Sequence, residues 1–373
     1  MTTPALFQPF QIGPIRVANR IAVAPMCQYC AKDGVPNDWH RVHLGSLALS
    51  GAGLLTVEAT AVEAAGRITH GCLGLYSDDS AEALGDIVRM VRGLSDVRLG
   101  IQIGHAGRKA STAVPWEGGA ALGPDDDPWL TYGPSALPLT EAGPEVREMD
   151  AADMARIREA HVAAAIHARD IGFDLLELHM AHGYLLSTFL SPLTNRRTDE
   201  YGGDLAGRLR FPLEVARAVR EVWPRDRALS AKFNGTDWAD GGLTPEDAAP
   251  IATALRDAGL DIVTTSGGGV LPAPPPRIGP GYQLDAARVV KAEVPGIAVA
   301  GVGMIFDPKT ANAIVEAGDA DMVSIARAFL HDPRWALHAA AALDHEVAWP
   351  PQYARATPAT WRPARPPAAT DVR

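Results

Sequence analysis

The stretch 177–187, ELHMAHGYLLS, holds the residues whose types and spacing most clearly suggest chemistry. His179 and His182 are three residues apart, and Tyr184 follows two residues later. A His-x-x-His pair can bind a metal ion, whereas two imidazoles beside a phenol can donate hydrogen bonds and a proton to a carbonyl compound. A metal site would need a third ligand from a neighbouring strand end, where Glu58 is the one acidic candidate. A pair of core histidines without a function is the remaining alternative.

Eight short apolar segments supply the elements that must position these residues. Their near-continuous apolar character is typical of parallel strands buried on both faces. We predict strands at 21–26, 54–60, 98–105, 174–182, 228–234, 261–267, 296–303 and 321–327. Helical segments alternate with them, so the sequence predicts an α/β fold, the (β/α)₈ TIM barrel, in which catalytic residues lie at the carboxyl ends of strands. A doubly wound open sheet is disfavoured, because no Gly-x-Gly-x-x-Gly turn follows the first strand.

Three of the intervening helices have recognisable start signals. Asp79 or Ser80 is the candidate cap of a helix over 79–93, and Asp150 is the candidate for 150–170. In the segment 244–259, Thr244 is the candidate N-cap, Pro245 takes the first helical position, Asp247 lies three residues after the cap and Gly259 lies past the helix end.

Segments outside the strand–helix repeats complete the predicted architecture. Residues 1–20 are predicted to form a β-hairpin that caps the bottom of the barrel. The Gly- and Pro-rich residues 111–149 form a long excursion after the third strand, which is typical of a lid or binding element. We expect one barrel domain over residues 1–356 and a Pro-rich tail over 357–373.

Composition limits the classes of partner. With 34 Lys and Arg against 44 Asp and Glu, the net charge is −10, which argues against binding to nucleic acid or an anionic membrane. Cys27, Cys30 and Cys72 are too few for a disulfide framework or a four-cysteine iron–sulfur cluster and fit a reducing compartment. No signal-peptide pattern and no apolar run of 18 residues is present, so a cytoplasmic location without a membrane span is expected.

Polar and glycine-rich residues at the predicted strand ends outline a cofactor site. Gly303, Ala326 and Arg327 lie in the turns after strands seven and eight, where barrels often bind a phosphate group. Gln102 and Lys232 lie on strands three and five, towards an otherwise apolar floor. A planar cofactor that carries a phosphate fits this pattern.

Four segments resemble the Old Yellow Enzyme family of FMN-dependent ene-reductases: 24-APMCQYC-30, 101-IQIGHAGRKAS-111, 177-ELHMAHGYLLSTFLSPLTNRRTDEYGG-203 and 208-RLRFPLEV-215. The Cys-x-Tyr pair in the first segment resembles the thermophilic-like bacterial branch, which includes xenobiotic reductases. The resemblance covers residues 4–356. It implies bound FMN, NADPH or NADH as the hydride donor, and activated alkenes as small-molecule substrates, either α,β-unsaturated carbonyl or nitro compounds.

The resemblance also implies a role for each matching residue. Four residues would contact the flavin ring: Pro25, Met26, Ala59 and Gln102. The amide of Gln102 would form a hydrogen bond with the pyrimidine edge of the ring. Lys232 would face the flavin, and Gly303, Ala326 and Arg327 would hold its phosphate. Cys27 would lie near flavin N5 and tune its potential, although a plain buried thiol is the alternative.

For the substrate, the resemblance implies that His179 and His182 bind the carbonyl or nitro oxygen. Hydride would move from flavin N5 to the alkene, and Tyr184 would donate the proton, while Tyr29 reaches the substrate. The resemblance therefore favours His179 and His182 as hydrogen-bond donors over the metal-ligand alternative. Arg355, in a matching segment near the C-terminus, would enter the neighbouring subunit's site, which implies a homodimer or homotetramer.

Two residues depart from the family pattern. Lys232 replaces the usual arginine beside the flavin, and Ala326 replaces a glycine in the phosphate turn, where a methyl group can hinder close approach. These departures leave room for a flavin-binding protein with little turnover as an alternative function. A metal-dependent barrel hydrolase is a third possibility, and a dienoyl-CoA-type relative is disfavoured because the chain lacks its second domain and its cluster cysteines.

Overall fold

A computed structural model describes residues 2–361. Its central feature is a closed barrel of eight parallel strands. This confirms the (β/α)₈ prediction. Within those residues the strands are β1 (Phe10–Ile12), β2 (Ile15–Val17), β3 (Ile21–Val23), β4 (Leu54–Ala61), β5 (Arg98–Gly104), β6 (Thr131–Gly133), β7 (Val146–Glu148), β8 (Leu175–Met180), β9 (Ala228–Thr236), β10 (Ile262–Gly267), β11 (Ala298–Gly301) and β12 (Met322–Ile325).

The helices lie between these strands in chain order. They are α1 (Asp38–Ala48), α2 (Asp78–Leu94), α3 (Ala151–Ile171), α4 (Leu185–Leu190), α5 (Leu205–Val222), α6 (Ala248–Asp257), α7 (Leu284–Glu293), α8 (Pro308–Glu316), α9 (Arg327–His331) and α10 (Trp335–Ala342). Short 3₁₀ helices cover Ala5–Phe7, Ala64–Gly66, Gly107–Lys109, Pro115–Glu117, Pro124–Asp126, Pro245–Asp247 and Pro351–Ala356. None of the helices within residues 2–361 combines the length and apolar character that a membrane span requires.

The barrel strands follow the order β3-β4-β5-β8-β9-β10-β11-β12, and β12 pairs with β3 to close the ring. All eight predicted strands are present, but several are shorter than predicted. The first ends at Val23 because Pro25 has no backbone N–H to continue the ladder. The last main-chain bond on that side runs from Ala24 N–H to the carbonyl oxygen of Ile325, at 2.9 Å.

The helix starts agree with the sequence in two of three cases. Asp150 caps α3 by accepting the backbone N–H of Asp153, as predicted. Thr244 precedes a 3₁₀ turn, Pro245–Asp247, that leads into α6. The prediction for α2 was wrong, because Ser77 is the cap and accepts the N–H of Ser80, so that Asp79 and Ser80 themselves lie inside the first turn.

An antiparallel hairpin of β1 and β2 covers the amino-terminal end of the barrel, as predicted. Ile12, Ile15 and Val17 are buried there against the first residues of the barrel strands, among them Leu54 and Ile262. Because this end is filled with apolar side chains, the carboxyl ends of the strands remain as the site of chemistry.

The excursion over residues 111–149 crosses the carboxyl-terminal side of the barrel. It carries the short parallel pair β6 and β7, which join at Thr131 and Val146. Its Trp116 ring lies 6.1 Å from that of Tyr29, and Trp129 Nε1 donates to the carbonyl oxygen of Ala65 at 3.1 Å. The excursion therefore packs on segments that border the mouth. Of the predicted tail, residues 362–373 lie outside the described residues.

Candidate active site

Neighbouring strands bring the predicted floor residues into two adjacent rows. In the first row, Ala59 on β4 pairs with Gln102 on β5, which pairs with Glu177 on β8. In the second row, nearer the carboxyl ends, His179 on β8 pairs with Lys232 on β9. The strand register thus places four residues predicted from sequence side by side.

Glu177, which the sequence did not single out, ties the first row together. Its carboxylate accepts hydrogen bonds from Gln102 Nε2 at 2.8 Å, Thr264 Oγ1 at 3.0 Å and Ser230 Oγ at 3.3 Å. These bonds fix the Gln102 amide, because a buried carboxylate must be satisfied by donors. The only signal was its position two residues before His179 in the opening motif.

A bulge in β4 shapes the edge of the mouth. The register with β5 slips between Val57 and Ala59, so Glu58 is the additional residue and its side chain is buried. Glu58 Oε2 accepts the backbone N–H of Gln28 at 2.9 Å, and burial raises the pKa of this carboxyl group to about 8. The contact anchors the segment after β3 that contains Pro25, Met26 and Cys27.

His179, His182 and Tyr184 form one cluster at the end of β8. The ring centroids of the two histidines are 5.3 Å apart, and those of His179 and Tyr184 are 4.8 Å apart. The turn between them is tight, since His182 has φ +62° and Gly183 has φ +72°. A β-carbon on Gly183 would lie 2.1 Å from the carbonyl oxygen of Gly269, so glycine is required there.

The cluster is uncharged at neutral pH. Burial, together with the positive charges of Lys232 and Lys109, holds the pKa of His179 and of His182 well below the usual range. Burial raises the pKa of the Tyr184 phenol well above its ordinary value. The site therefore contains two neutral imidazoles and a protonated phenol, which can all act as hydrogen-bond donors.

The hydrogen-bond partners of each imidazole determine which ring nitrogen carries the proton. His179 Nδ1 accepts the backbone N–H of Ala181 at 3.3 Å, so the proton of His179 lies on Nε2. His182 Nε2 lies 2.8 Å from Ser266 Oγ, which donates to Gln283 Oε1 at 2.9 Å. The orientation of the Gln283 amide therefore sets the tautomer of His182.

Cys27 and Tyr29 are half-buried in the segment after β3 and hydrogen-bond to each other. Burial and the nearby Glu58 raise the pKa of the Cys27 thiol well above its usual range. Burial and Cys27 raise the pKa of Tyr29 as well. Cys27 is therefore a protonated thiol that can donate a weak hydrogen bond, and it is not an activated nucleophile.

The glycine-rich side of the site has room for close approach to the backbone. Gly303 has φ +115°, and a β-carbon there would lie 2.9 Å from the backbone nitrogen of Gln283. Ala326 has φ −104°, so this departure from the family pattern lies outside the left-handed region that favours glycine. Arg327 follows it and is exposed, without a hydrogen bond or ion pair to the rest of the described chain.

These observations fit the FMN that the sequence predicts. Lys232 is 8% exposed, yet it forms no hydrogen bond or ion pair within residues 2–361. An anionic cofactor with a phosphate group would provide a partner for the buried ammonium group of Lys232 and for the guanidinium group of Arg327. Half-buried Pro25, Met26 and Ala59 leave an apolar surface between them.

A pocket adjoins the cluster and runs from Ala59 and Gly66 to His105, His179 and Tyr184. Sequence reasoning missed Arg67 and Cys72, which also line it, and Lys109, which follows β5 directly in 107-GRK-109. Within residues 2–361, no group of three or more His, Cys, Asp or Glu is arranged to hold a metal ion.

Arg355 lies apart from this cluster in the fold. It is exposed in the 3₁₀ helix Pro351–Ala356 and has no hydrogen bond or ion pair within the described chain. Its neighbour Tyr353 stacks under the guanidinium of Arg334, at 4.4 Å from the ring centroid.

Comparison with known proteins gives consistent matches. Residues 5–346 match the model of the NADH:flavin oxidoreductase / NADH oxidase family. An NADPH dehydrogenase of Geobacillus sp. (strain WCH70) is 38% identical over 352 residues, which cover 94% of this chain and 98% of that protein. The structure of morphinone reductase is similar, with a TM-score of 0.78 and 26% identity over 99% of this chain and 95% of that one.

A complex of 2-naphthoyl-CoA reductase with 2-naphthoyl-CoA has a TM-score of 0.79 and 26% identity over 88% of this chain. The chain spans about half of that protein's length, since the match covers 51% of it.

Proposed function

Because the chain belongs to the Old Yellow Enzyme family of NADH:flavin oxidoreductases, we propose that it reduces the activated double bond of α,β-unsaturated carbonyl or nitro compounds. It is an FMN-dependent NAD(P)H oxidoreductase, so the family, enzyme class and cofactors predicted from sequence are confirmed. The substrate class and the residue roles below are our proposal. One observation carries them: two neutral histidines adjoin a protonated tyrosine at the mouth of the barrel.

FMN, when bound, accepts a hydride from NADPH or NADH and delivers it to the β-carbon of the alkene. Pro25, Met26 and Ala59 would line its ring, and Gln102 would meet the pyrimidine edge. Lys232 would place a positive charge beside the ring, and Cys27 would lie near N5. The phosphate would be held at the turns that contain Gly303, Ala326 and Arg327.

The two histidines would bind the oxygen of the substrate. His179 carries its proton on Nε2 and can donate it in a hydrogen bond. His182 can donate through Nδ1 when Ser266 donates to its Nε2, which reversal of the Gln283 amide permits. Fixed donors stabilise the negative charge that grows on this oxygen as hydride reaches the β-carbon, and Tyr29 would contact the substrate from the other side.

Tyr184 would supply the proton to the α-carbon. Burial keeps its phenol protonated at neutral pH, whereas a carboxylic acid of ordinary pKa would already have lost its proton. The proton leaves the phenol oxygen of Tyr184, which later regains one from solvent. The product is the saturated carbonyl or nitro compound.

Single-turnover kinetics of Tyr184→Phe test this assignment. We expect reduction of the enzyme by NADPH to proceed at the wild-type rate, because no proton donor to the alkene is needed in that half-reaction. Reoxidation by 2-cyclohexenone should slow by roughly 100-fold or more, the usual contribution of general acid catalysis. Tyr201→Phe is the control, since Tyr201 bonds Glu214 away from the site. A wild-type rate of reoxidation in Tyr184→Phe would remove Tyr184 from this role.

Several broader predictions stay proposals. The FMN-binding domain would span residues 1–356, with residues 357–373 as its tail. A homodimer or homotetramer would place Arg355 in the neighbouring subunit's site, and its exposure without a partner in the described chain is compatible with this. Binding neither nucleic acid nor membrane is expected from the net charge of −10. The cytoplasmic location is an expectation from the sequence and can be tested by cell fractionation.

A further inference from the structure

Lys109 contacts the proposed proton donor directly. Its Nζ lies over the ring of Tyr184, 4.9 Å from the centroid. The same ammonium group donates to the carbonyl oxygen of His182 at 2.9 Å and reaches that of Gly269 at 3.5 Å. These contacts fix it against the face of the phenol.

The charge of Lys109 is not neutralised by a carboxylate. No ion pair involving Lys109 occurs within residues 2–361. The charged or titratable groups near it are Arg108, the two neutral histidines of the cluster and Tyr184 itself. The groups that act on the phenol from its other neighbours are Cys27, Tyr29 and Cys72, whose pKa values are all raised. Its field is therefore directed at the phenol and the substrate side, in a partly dry environment where charges interact strongly.

We propose that Lys109 is a positioning residue for proton transfer, whose ammonium group stabilises the phenolate that Tyr184 becomes when it protonates the alkene. The proposal rests on the proposed role of Tyr184. Before transfer, the cation meets only the weak quadrupole of a neutral ring. After transfer, it faces a full negative charge on the same side chain. Because the interaction is stronger in the product of the step, it accelerates the step.

A purely structural explanation competes with this one. Lys109 could serve only to hold the turn around His182 through its two carbonyl contacts. Such a role would affect the histidine cluster whether or not Tyr184 has a hydroxyl group. The electrostatic role requires that hydroxyl group. The two explanations therefore predict different results in a double-mutant cycle of Lys109 and Tyr184.

The two explanations also differ in pH dependence. Burial and the adjacent Arg108 lower the pKa of Lys109 to about 8. The ammonium charge is therefore present below that pH and is lost as the pH rises through it. Glu58 also titrates at about 8, so arginine at position 109, charged over the whole range, is needed to separate the two groups.

The experiment measures reoxidation of the NADPH-reduced holoenzyme by 2-cyclohexenone, from pH 6 to 10. The variants are Lys109→Met, Lys109→Arg, Tyr184→Phe and the double variant Lys109→Met/Tyr184→Phe. Lys291→Met is the control for loss of a lysine, since Lys291 pairs with Asp321 at the opposite end of the barrel.

We expect Lys109→Met to slow reoxidation about tenfold at pH 7, because the charge that favours the phenolate over the neutral ring is lost. Lys109→Arg should retain most of the rate and lose the decline near pH 8. In the Tyr184→Phe background, Lys109→Met should have no further effect on the rate of reoxidation.

An equal, additive loss in both backgrounds would overturn the proposal and leave a structural role. A wild-type rate in Lys109→Met would also overturn it. The proposed function fails separately, through a wild-type rate of reoxidation in Tyr184→Phe.

Discussion

Lys232 and Lys109 bring two positive charges to the mouth of the barrel, and neither forms an ion pair within residues 2–361. Their field helps to keep His179 and His182 neutral, as the lowered pKa values of both imidazoles indicate. A site with neutral donors and unpaired cations favours species that gain negative charge. Both the reduced flavin and the enolate-like oxygen of a substrate are of that kind.

The effect of lysine in place of the family's usual arginine at position 232 can be tested with the variant Lys232→Arg. We expect Lys232→Arg to change the rate of FMN reduction by NADPH more than it changes FMN retention. The charge is kept in both forms, while the planar set of donors that arginine offers to the ring is added. Stopped-flow bleaching of the flavin and the FMN content of purified protein measure the two effects. Equal reduction rates in both forms would contradict the prediction.

At the scale of elements, the turns after the barrel strands set how closely a ligand can approach. Gly303 follows β11 with φ +115° and adjoins the backbone of Gln283. The Gln283 side chain in turn contacts Ser266 near the end of β10. The proposed phosphate turn and the His182 contact are thus coupled through one residue.

Gly303→Ala should therefore weaken FMN binding and lower the free energy of unfolding by at least about 1 kcal/mol, because alanine strains at this φ and meets Gln283. FMN fluorescence titration and thermal melting measure the two effects. Gly93→Ala is the matched control, since Gly93 is helical and a β-carbon there has nothing within 4 Å. It should leave FMN binding unchanged and stabilise the helix slightly. Unchanged FMN affinity in Gly303→Ala would contradict the proposed phosphate turn.

Some of these elements and contacts could be predicted from the sequence, and others could not. Contiguous apolar runs identified all eight barrel strands, because strands buried on both faces need them. Once the strands are assigned, the strand register places Gln102 and Lys232 in the adjacent rows of the site, so their positions could also be predicted. The cap of α2 was misplaced because Ser77, Asp79 and Ser80 are all good caps by type. Gln283 follows a Pro-rich loop, and no local pattern indicates that it meets Ser266.

At the scale of the whole molecule, one end of the barrel is filled and the other is open to solvent. The β1–β2 hairpin fills the amino-terminal end, and the excursion over residues 111–149 borders the other through Trp116 and Trp129. The described chain gives Arg355 no partner of its own. The proposed entry of Arg355 into a neighbouring subunit's site belongs to this scale.

Arg355→Ala tests this arrangement. If Arg355 of one subunit enters the site of another, the variant should raise the KM for 2-cyclohexenone several-fold while the oligomer persists. Light scattering after size-exclusion chromatography gives the oligomer, and steady-state kinetics give KM. Arg225→Ala serves as a control for loss of an arginine elsewhere. A monomeric wild-type protein, or an unchanged KM in Arg355→Ala, would contradict the assignment.

The reduction of an activated alkene through bound FMN is the central claim, and one anaerobic cuvette tests it most directly. The visible spectrum of the purified protein is recorded, then NADPH is added, and then 2-cyclohexenone. We predict a flavin absorption band that bleaches with NADPH and returns with the enone, as cyclohexanone forms. A band that bleaches but does not return would contradict the proposed substrate class, and a protein that stays colourless after addition of FMN would contradict the cofactor site itself.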